Sequence, residues 1–138
     1  MARVLAIDPG SKRVGLALSD PMGVIASPLR AEPAEPTATL AERLAQVARE
    51  VEAAELVVGL PRRMDGGMGP EARAAKALAH SLRQLSGLPV TLVDERLSSR
   101  AAERSLLAAG VKRARRRQVS DEVAASLILQ GYLDSRGR

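Results

Sequence analysis

A chain of 138 residues with a formal charge of +5, no cysteine and one histidine, His80, has no disulfide, no thiolate zinc site and no imidazole cluster, so any metal must be held by oxygen. Its length suits one domain, residues 1–138, burying roughly two-thirds of the surface its unfolded form exposes, and 46% hydrophobic with 27% charged residues is the balance of a globular protein. No apolar run approaches bilayer-spanning length and no signal-peptide succession opens the chain, which predicts a cytoplasmic protein.

The first strands are predicted at residues 3–8 and 13–19, joined by "PGSK", and a third at "GVIASPLR" after the turn residues "DPMG". Short connections make these three an antiparallel meander. After "EPAEPT", Leu40, Leu44, Val47, Ala48 and Val51 recur on one helical face, with Thr37 as the expected N-cap. A short buried strand, "ELVVGLP", then leads into a Gly-rich loop, "RRMDGGMGP". An Ala-rich helix from about Glu71 to Leu85 ends at "GLP", and strand "VTLVDE" follows. "LSSRAAERSLLAAG" reads as a helix entered through Ser98 or Ser99 and closed by Gly110, and Ser120 caps a last helix to about Leu133. The order β-β-β-α-β-α-β-α-α predicts an α/β fold: a mixed five-stranded sheet, antiparallel first and parallel after, flanked by helices.

The charge points to a polyanionic partner. The pI is near 10.6, and the densest basic run, "VKRARRRQVS", holds Lys112, Arg113, Arg115, Arg116 and Arg117; such a run attracts phosphate backbones by Coulomb force and counterion release. Tyr132 is the one aromatic residue, so there is no platform on which splayed bases could stack. Structured nucleic acid read by shape and backbone fits this composition best.

Three acids are expected to meet at one end of the sheet. Pro9 biases Asp8 to an extended conformation, so Asp8 ends the first strand. Asp94 and Glu95 hold the same position after "VTLV", where functional groups of parallel sheets gather. Counting by three, four and seven from Asp121 lands on Ala124, Ala125 and Ile128, which puts Asp121 rather than Glu122 on the sheet-facing side. Three unpaired carboxylates would repel, by about 4 kcal/mol for a pair 4 Å apart at an effective dielectric near 20. A pair of Mg²⁺ or Mn²⁺ ions, bridged by Asp8 and held individually by Glu95 and Asp121, would remove that repulsion and equip the site for phosphodiester hydrolysis. Strand alternation lets only one of Asp94 and Glu95 face Asp8; Glu95 is favoured for the metal and Asp94 for support. Lys12 and Arg13 are placed to steer a phosphate, Arg96 either to clamp one or to pair with a site carboxylate, and Arg62 and Arg63, with Asp65 beside them, to close over substrate. His80, among Lys76, Arg83 and Gln84, reads as part of a solvated face.

The motifs "AIDPGSKRVGLALSD", "VVGLPRRMDG", "VDERLSSRAAE" and "VSDEVAASLILQGYLD" span nearly the whole chain and resemble those of the YqgF family, also called RuvX. That family is described both as Holliday junction resolvases and as nucleases that process the precursor of small-subunit ribosomal RNA. The resemblance implies a ribonuclease H-like fold and an acidic site at Asp8, Glu95 and Asp121. In the wider junction-resolvase superfamily a catalytic glutamate follows the fourth strand, whereas "VVGLP" carries no acid there, and Glu95 is its expected substitute. The leading expectation is a metal-dependent nuclease acting on the 5′ end of pre-16S ribosomal RNA. The alternatives are a four-way DNA junction resolvase, which calls for a homodimer, and a non-catalytic nucleic-acid binder. An ATP-using enzyme, suggested by the similarity of "IDPGSKRVG" to the actin and sugar-kinase phosphate loop, would need a second related domain.

Overall fold

Leu5 and Ile7 lie on one side of the first strand and Val4 and Ala6 on the other, and all four are fully buried. A strand buried on both faces requires helices on both sides of its sheet, and the computed structural model, which describes residues 2–61, 67–95 and 120–136, has them. The elements are β1 (Arg3–Asp8), β2 (Arg13–Ser19), β3 (Ala26–Pro33), α1 (Thr37–Glu50), β4 (Ala53–Leu60), α2 (Pro70–Ser86), β5 (Val90–Asp94) and α3 (Asp121–Arg136). The sheet order is β3-β2-β1-β4-β5. β1, β2 and β3 pair antiparallel, while β4 runs parallel to both β1 and β5. The mixed five-stranded sheet expected from the sequence is therefore present. The expected helix closed by Gly110 lies outside the described residues.

One face of the sheet carries α1 and α2. Leu40, Leu44, Val47 and Ala48 of α1, with Ala75, Ala79 and Leu82 of α2, join Leu5, Ile7, Leu16, Leu56 and Val58 in one core. Three alanines on the buried stripe of α2, Ala72, Ala75 and Ala79, let that helix lie close. α2 ends as expected at Gly87, whose φ of 70° is the left-handed cap that glycine adopts without steric cost. Thr37 is not the cap of α1: it is the first helical residue, and the N-cap is Pro36 in extended conformation. The Glu35 carboxylate accepts the Thr37 N–H at 3.2 Å, and Arg43 donates to the carbonyls of Pro33 and Pro36. Side chains on either side of the proline thus hold the helix entrance.

The other face carries α3. Ala125, Ile128, Leu129 and Leu133 pack on Val4, Ala6, Ala17 and Val57. Two polar fastenings fix the helix along its length. The Gln130 side chain accepts the Ala26 N–H and donates to the Val24 carbonyl, both at 2.9 Å. Further along, Tyr132 and Arg136 both donate to Glu55 of β4, and the Arg136 guanidinium stacks 5.5 Å from the Tyr132 ring centre. Leu129 is fully buried in this layer. Leu129→Ala should therefore cost about 2–5 kcal/mol, the range for large cavities in such cores, seen as a lowered denaturant midpoint at unchanged slope.

β3 starts three residues later than "GVIASPLR" predicts. The Asp20 carboxylate accepts N–H groups from Met22, Val24 and Ile25, at 3.3, 2.8 and 2.9 Å. The apolar residues after "DPMG" consequently form a tight turn with their side chains exposed. As an edge strand, β3 tolerates Pro28 and Pro33, which could not serve a central ladder.

Candidate active site

Asp8 ends β1 opposite Gly15 of β2, and alternation puts it on the α3 side of the sheet with Val4 and Ala6. The same parity along β5 carries Glu95 to that side and Asp94 to the other. The carboxyl groups of Asp8 and Glu95 are hydrogen-bonded to each other. Burial pushes the Glu95 carboxyl up to about 9, aided by its bond to Asp8 and by the charges of Asp8 and Asp94. Burial also raises Asp8, against the lowering effect of the Glu95 bond, and the charge of Asp121 raises it further. The fold therefore favours a proton on Glu95, donated toward Asp8.

Two glycines make the arrangement sterically possible. A Cβ on Gly15 would stand 2.0 Å from the carbonyl oxygen of Asp121, so the start of α3 rests directly on the β2 backbone. A Cβ on Gly59 would stand 2.8 Å from Glu95 Oε1 and 3.1 Å from Ile128 Cδ1. The Glu95 carboxyl thus occupies the space that a side chain on β4 would take. Gly59 lies in "VVGLP", the stretch in which an acid is expected from the wider superfamily and none is present. Here the acid enters from the neighbouring strand into the gap left by glycine. Glycine inside a strand pattern signals such a close approach, and both glycines were visible in the sequence on that ground.

Asp121 opens α3, where the Ser120 carbonyl accepts the N–H groups of Val123 and Ala124. Its Oδ2 accepts a hydrogen bond from Arg13 Nε at 2.9 Å. This ion pair joins residues 108 apart in the chain, which no local pattern announces. Lys12 is exposed and its carbonyl accepts the Ala34 N–H at 2.9 Å. The fold thus gathers Asp8, Glu95, Asp121 and Arg13 at one place, with Asp94 acting on Glu95 by its charge. Among the described residues no three acidic side chains form a group that could hold one metal ion; Asp121 pairs with Arg13, and Asp8 with Glu95. Glu95 Oε1 is buried and has no hydrogen-bonding partner among the described residues. His80 lies exposed on α2, as the solvated-face reading expects. Arg62, Arg63, Asp65, Arg96, Ser98, Ser99, Lys112, Arg113, Arg115, Arg116 and Arg117 lie outside the described residues.

Thermus thermophilus RuvC, solved in complex with a Holliday junction substrate, superposes with a TM-score of 0.61 at 18% identity, over 98% of this chain and 96% of that one. The architecture is therefore that of RuvC, a ribonuclease H-like fold. A Moorella thermoacetica protein named "Putative pre-16S rRNA nuclease" is 48% identical over 136 residues, 99% of this chain and 97% of its own length. A Pelotomaculum thermopropionicum protein of the same name is 47% identical over 138 residues, 99% of this chain and 89% of its own. The family model described as "RuvX: Holliday junction resolvase" matches residues 2–135. With that model covering almost every residue from before β1 to the end of α3, the chain belongs to the RuvX family.

Proposed function

We propose that this protein is a divalent-cation-dependent nuclease whose site is Asp8, Glu95 and Asp121, and that its substrate is the precursor of 16S ribosomal RNA. The observation that carries the reading is the buried Asp8–Glu95 carboxyl pair, with one Glu95 oxygen left unpartnered. A buried polar atom without a partner is costly, and a set of carboxylate oxygens with no nitrogen or sulfur donor suits Mg²⁺ or Mn²⁺. The chemistry supplied by such an ion is activation of water and neutralisation of charge on the leaving oxygen of a phosphodiester.

Asp8, Glu95 and Asp121 would hold the cation, and each has a task of its own. Glu95 would have to give up its proton to ligate, a proton that burial above all favours, with the bond to Asp8 and the charges of Asp8 and Asp94 adding to it. Asp8, at the end of a buried strand, bonds to Glu95 and feels the charge of Asp121. Lys12 and Arg13 supply positive charge for the scissile phosphate, and the net charge of +5 draws the polyanion in. The names of the curated relatives favour ribosomal RNA precursor as substrate. The description of the family model favours a four-way DNA junction, and this is the second reading.

The test is cleavage of a labelled precursor 16S rRNA fragment beside a DNA four-way junction, with Mg²⁺ or Mn²⁺ and then with EDTA. The expected outcome is cutting of the RNA in metal alone, lost in Asp8→Asn by on the order of a hundredfold or more, since a lost ligand costs at least as much as a lost outer-shell partner. Cutting of the junction instead selects the second reading. Metal-independent cutting, or an Asp8→Asn protein as active as its parent, would refute the three-carboxylate site.

A further inference from the structure

Arg13 holds Asp121 in a way that leaves most of its own capacity unused. A guanidinium has five N–H donors in a rigid fork, and among the described residues Arg13 donates through Nε alone, to Asp121 Oδ2 at 2.9 Å. Both partners face solvent, with side chains 69% and 39% exposed. An exposed pair of this kind shifts an equilibrium by only about two- to fivefold, so it can be exchanged readily. Arg13 also opens β2, two residues before the Gly15 that pairs with Asp8. The guanidinium therefore lies at the mouth of the carboxylate cluster, beside the acid that enters from α3.

From this placement we infer that Arg13 and a divalent cation compete for Asp121, and that the guanidinium displaced by the ion passes to a phosphate of the nucleic acid. The inference rests on the nuclease reading above and assigns Arg13 as a positioning residue that links metal loading to substrate capture. Without an ion, Arg13 offsets one of the three acids by holding the Asp121 carboxylate. With an ion on Asp121, the like charge of the guanidinium disfavours its staying. A phosphate is the partner whose geometry its fork matches. Metal and nucleic acid then each favour the arrangement that the other needs, which is positive coupling between two sites joined by one side chain.

The experiment is a calorimetric titration with Mn²⁺ alone, without nucleic acid, on the wild type, Arg13→Gln, Arg13→Lys and Asp121→Asn. A second measurement is binding, in Ca²⁺, of the labelled precursor rRNA fragment and of the DNA junction at several salt concentrations. Arg13→Gln should bind Mn²⁺ about two- to fivefold more tightly and the nucleic acid more weakly, with the slope of log affinity against log salt reduced by about one. Arg13→Lys, which keeps the charge, should stay near the wild type for Mn²⁺ while losing nucleic-acid affinity. Opposite shifts in the two affinities are what a purely structural role would not produce. If Arg13→Gln binds Mn²⁺ no more tightly while Asp121→Asn loses it, the competition is refuted and the metal site stands. A tighter Mn²⁺ affinity with nucleic-acid binding unchanged overturns the transfer to phosphate. Should Asp121→Asn bind Mn²⁺ as the wild type does, or neither bind it, the site itself fails and the inference falls with it.

Discussion

Glu95→Gln should make the metal-free protein more stable above neutral pH while removing its cleavage activity. The sign follows from where the proton sits. Glu95 titrates near 9 in the folded chain against 4.5 when free, so between those values the folded state keeps a proton that the unfolded state has released. Stability then falls as pH rises through that window, with a limiting slope of about 1.4 kcal/mol per pH unit. Solvent screening of this partly exposed group narrows the window, and with it the total loss. Below 4.5 both states are protonated and nothing is lost; above 9 the loss is complete. Glutamine stays neutral throughout, and its amide can donate to Asp8 as the protonated acid does. In EDTA from pH 5 to 9, the melting temperature of the wild type should decline more steeply than that of Glu95→Gln. Asp8, also raised by burial, acts in the same direction in both proteins. Adding Mn²⁺ should stabilise the wild type and leave the variant unmoved. Parallel pH profiles for the two proteins would mean that Glu95 is ionised in the fold, and the shared proton would be wrong.

Gly15→Ala should be a strongly damaging one-methyl change. The added Cβ would meet backbone, at 2.0 Å from the Asp121 carbonyl oxygen and 2.4 Å from its carbon, and backbone cannot rotate aside. The start of α3 must lift away from β2, carrying Asp121 from Asp8 and from Arg13. Overpacking of this kind costs about 1–3 kcal/mol, and a displacement near 1 Å at a reacting centre costs about a hundredfold in rate. Gly131→Ala is the matched control on the same helix, because a Cβ there meets nothing within 4 Å. It should gain about 0.5–1 kcal/mol from helix propensity alone. The denaturation midpoints of the two variants should move in opposite directions from the parent, while cleavage should fall in Gly15→Ala alone. A Gly15→Ala protein as stable and as active as its parent would show that α3 does not rest on β2.

Much of this was legible in the residues. "VLAID" and "VGLALS" are apolar enough for strands buried on both faces, the stripe from Leu40 to Ala48 has helical spacing, and Asp8, Glu95 and Asp121 each sit at the end of an element. What eluded the reading is carried by side chains that bond across the chain or to nearby backbone. Asp20 captures three N–H groups and turns Val24 and Ile25 into loop, although their side chains favour strands; a short acceptor near the backbone outweighs propensity. Pro36 takes the cap position from Thr37 because its fixed φ suits the residue just outside a helix. The Arg13–Asp121 and Glu55–Tyr132 contacts join positions 108 and 77 residues apart. Such pairs exist only once the sheet has set the register.

α3 has one more consequence, for the order in which the molecule comes into being. The residues that cover Val4, Ala6, Ala17 and Val57 belong to the same helix that brings Asp121 to Asp8. A sheet that has formed without α3 has a bare apolar face and also lacks Asp121, one of the three acids of the proposed site. On that proposal, completion of the core and assembly of the site are a single event, and a chain whose last helix has come loose should not cut.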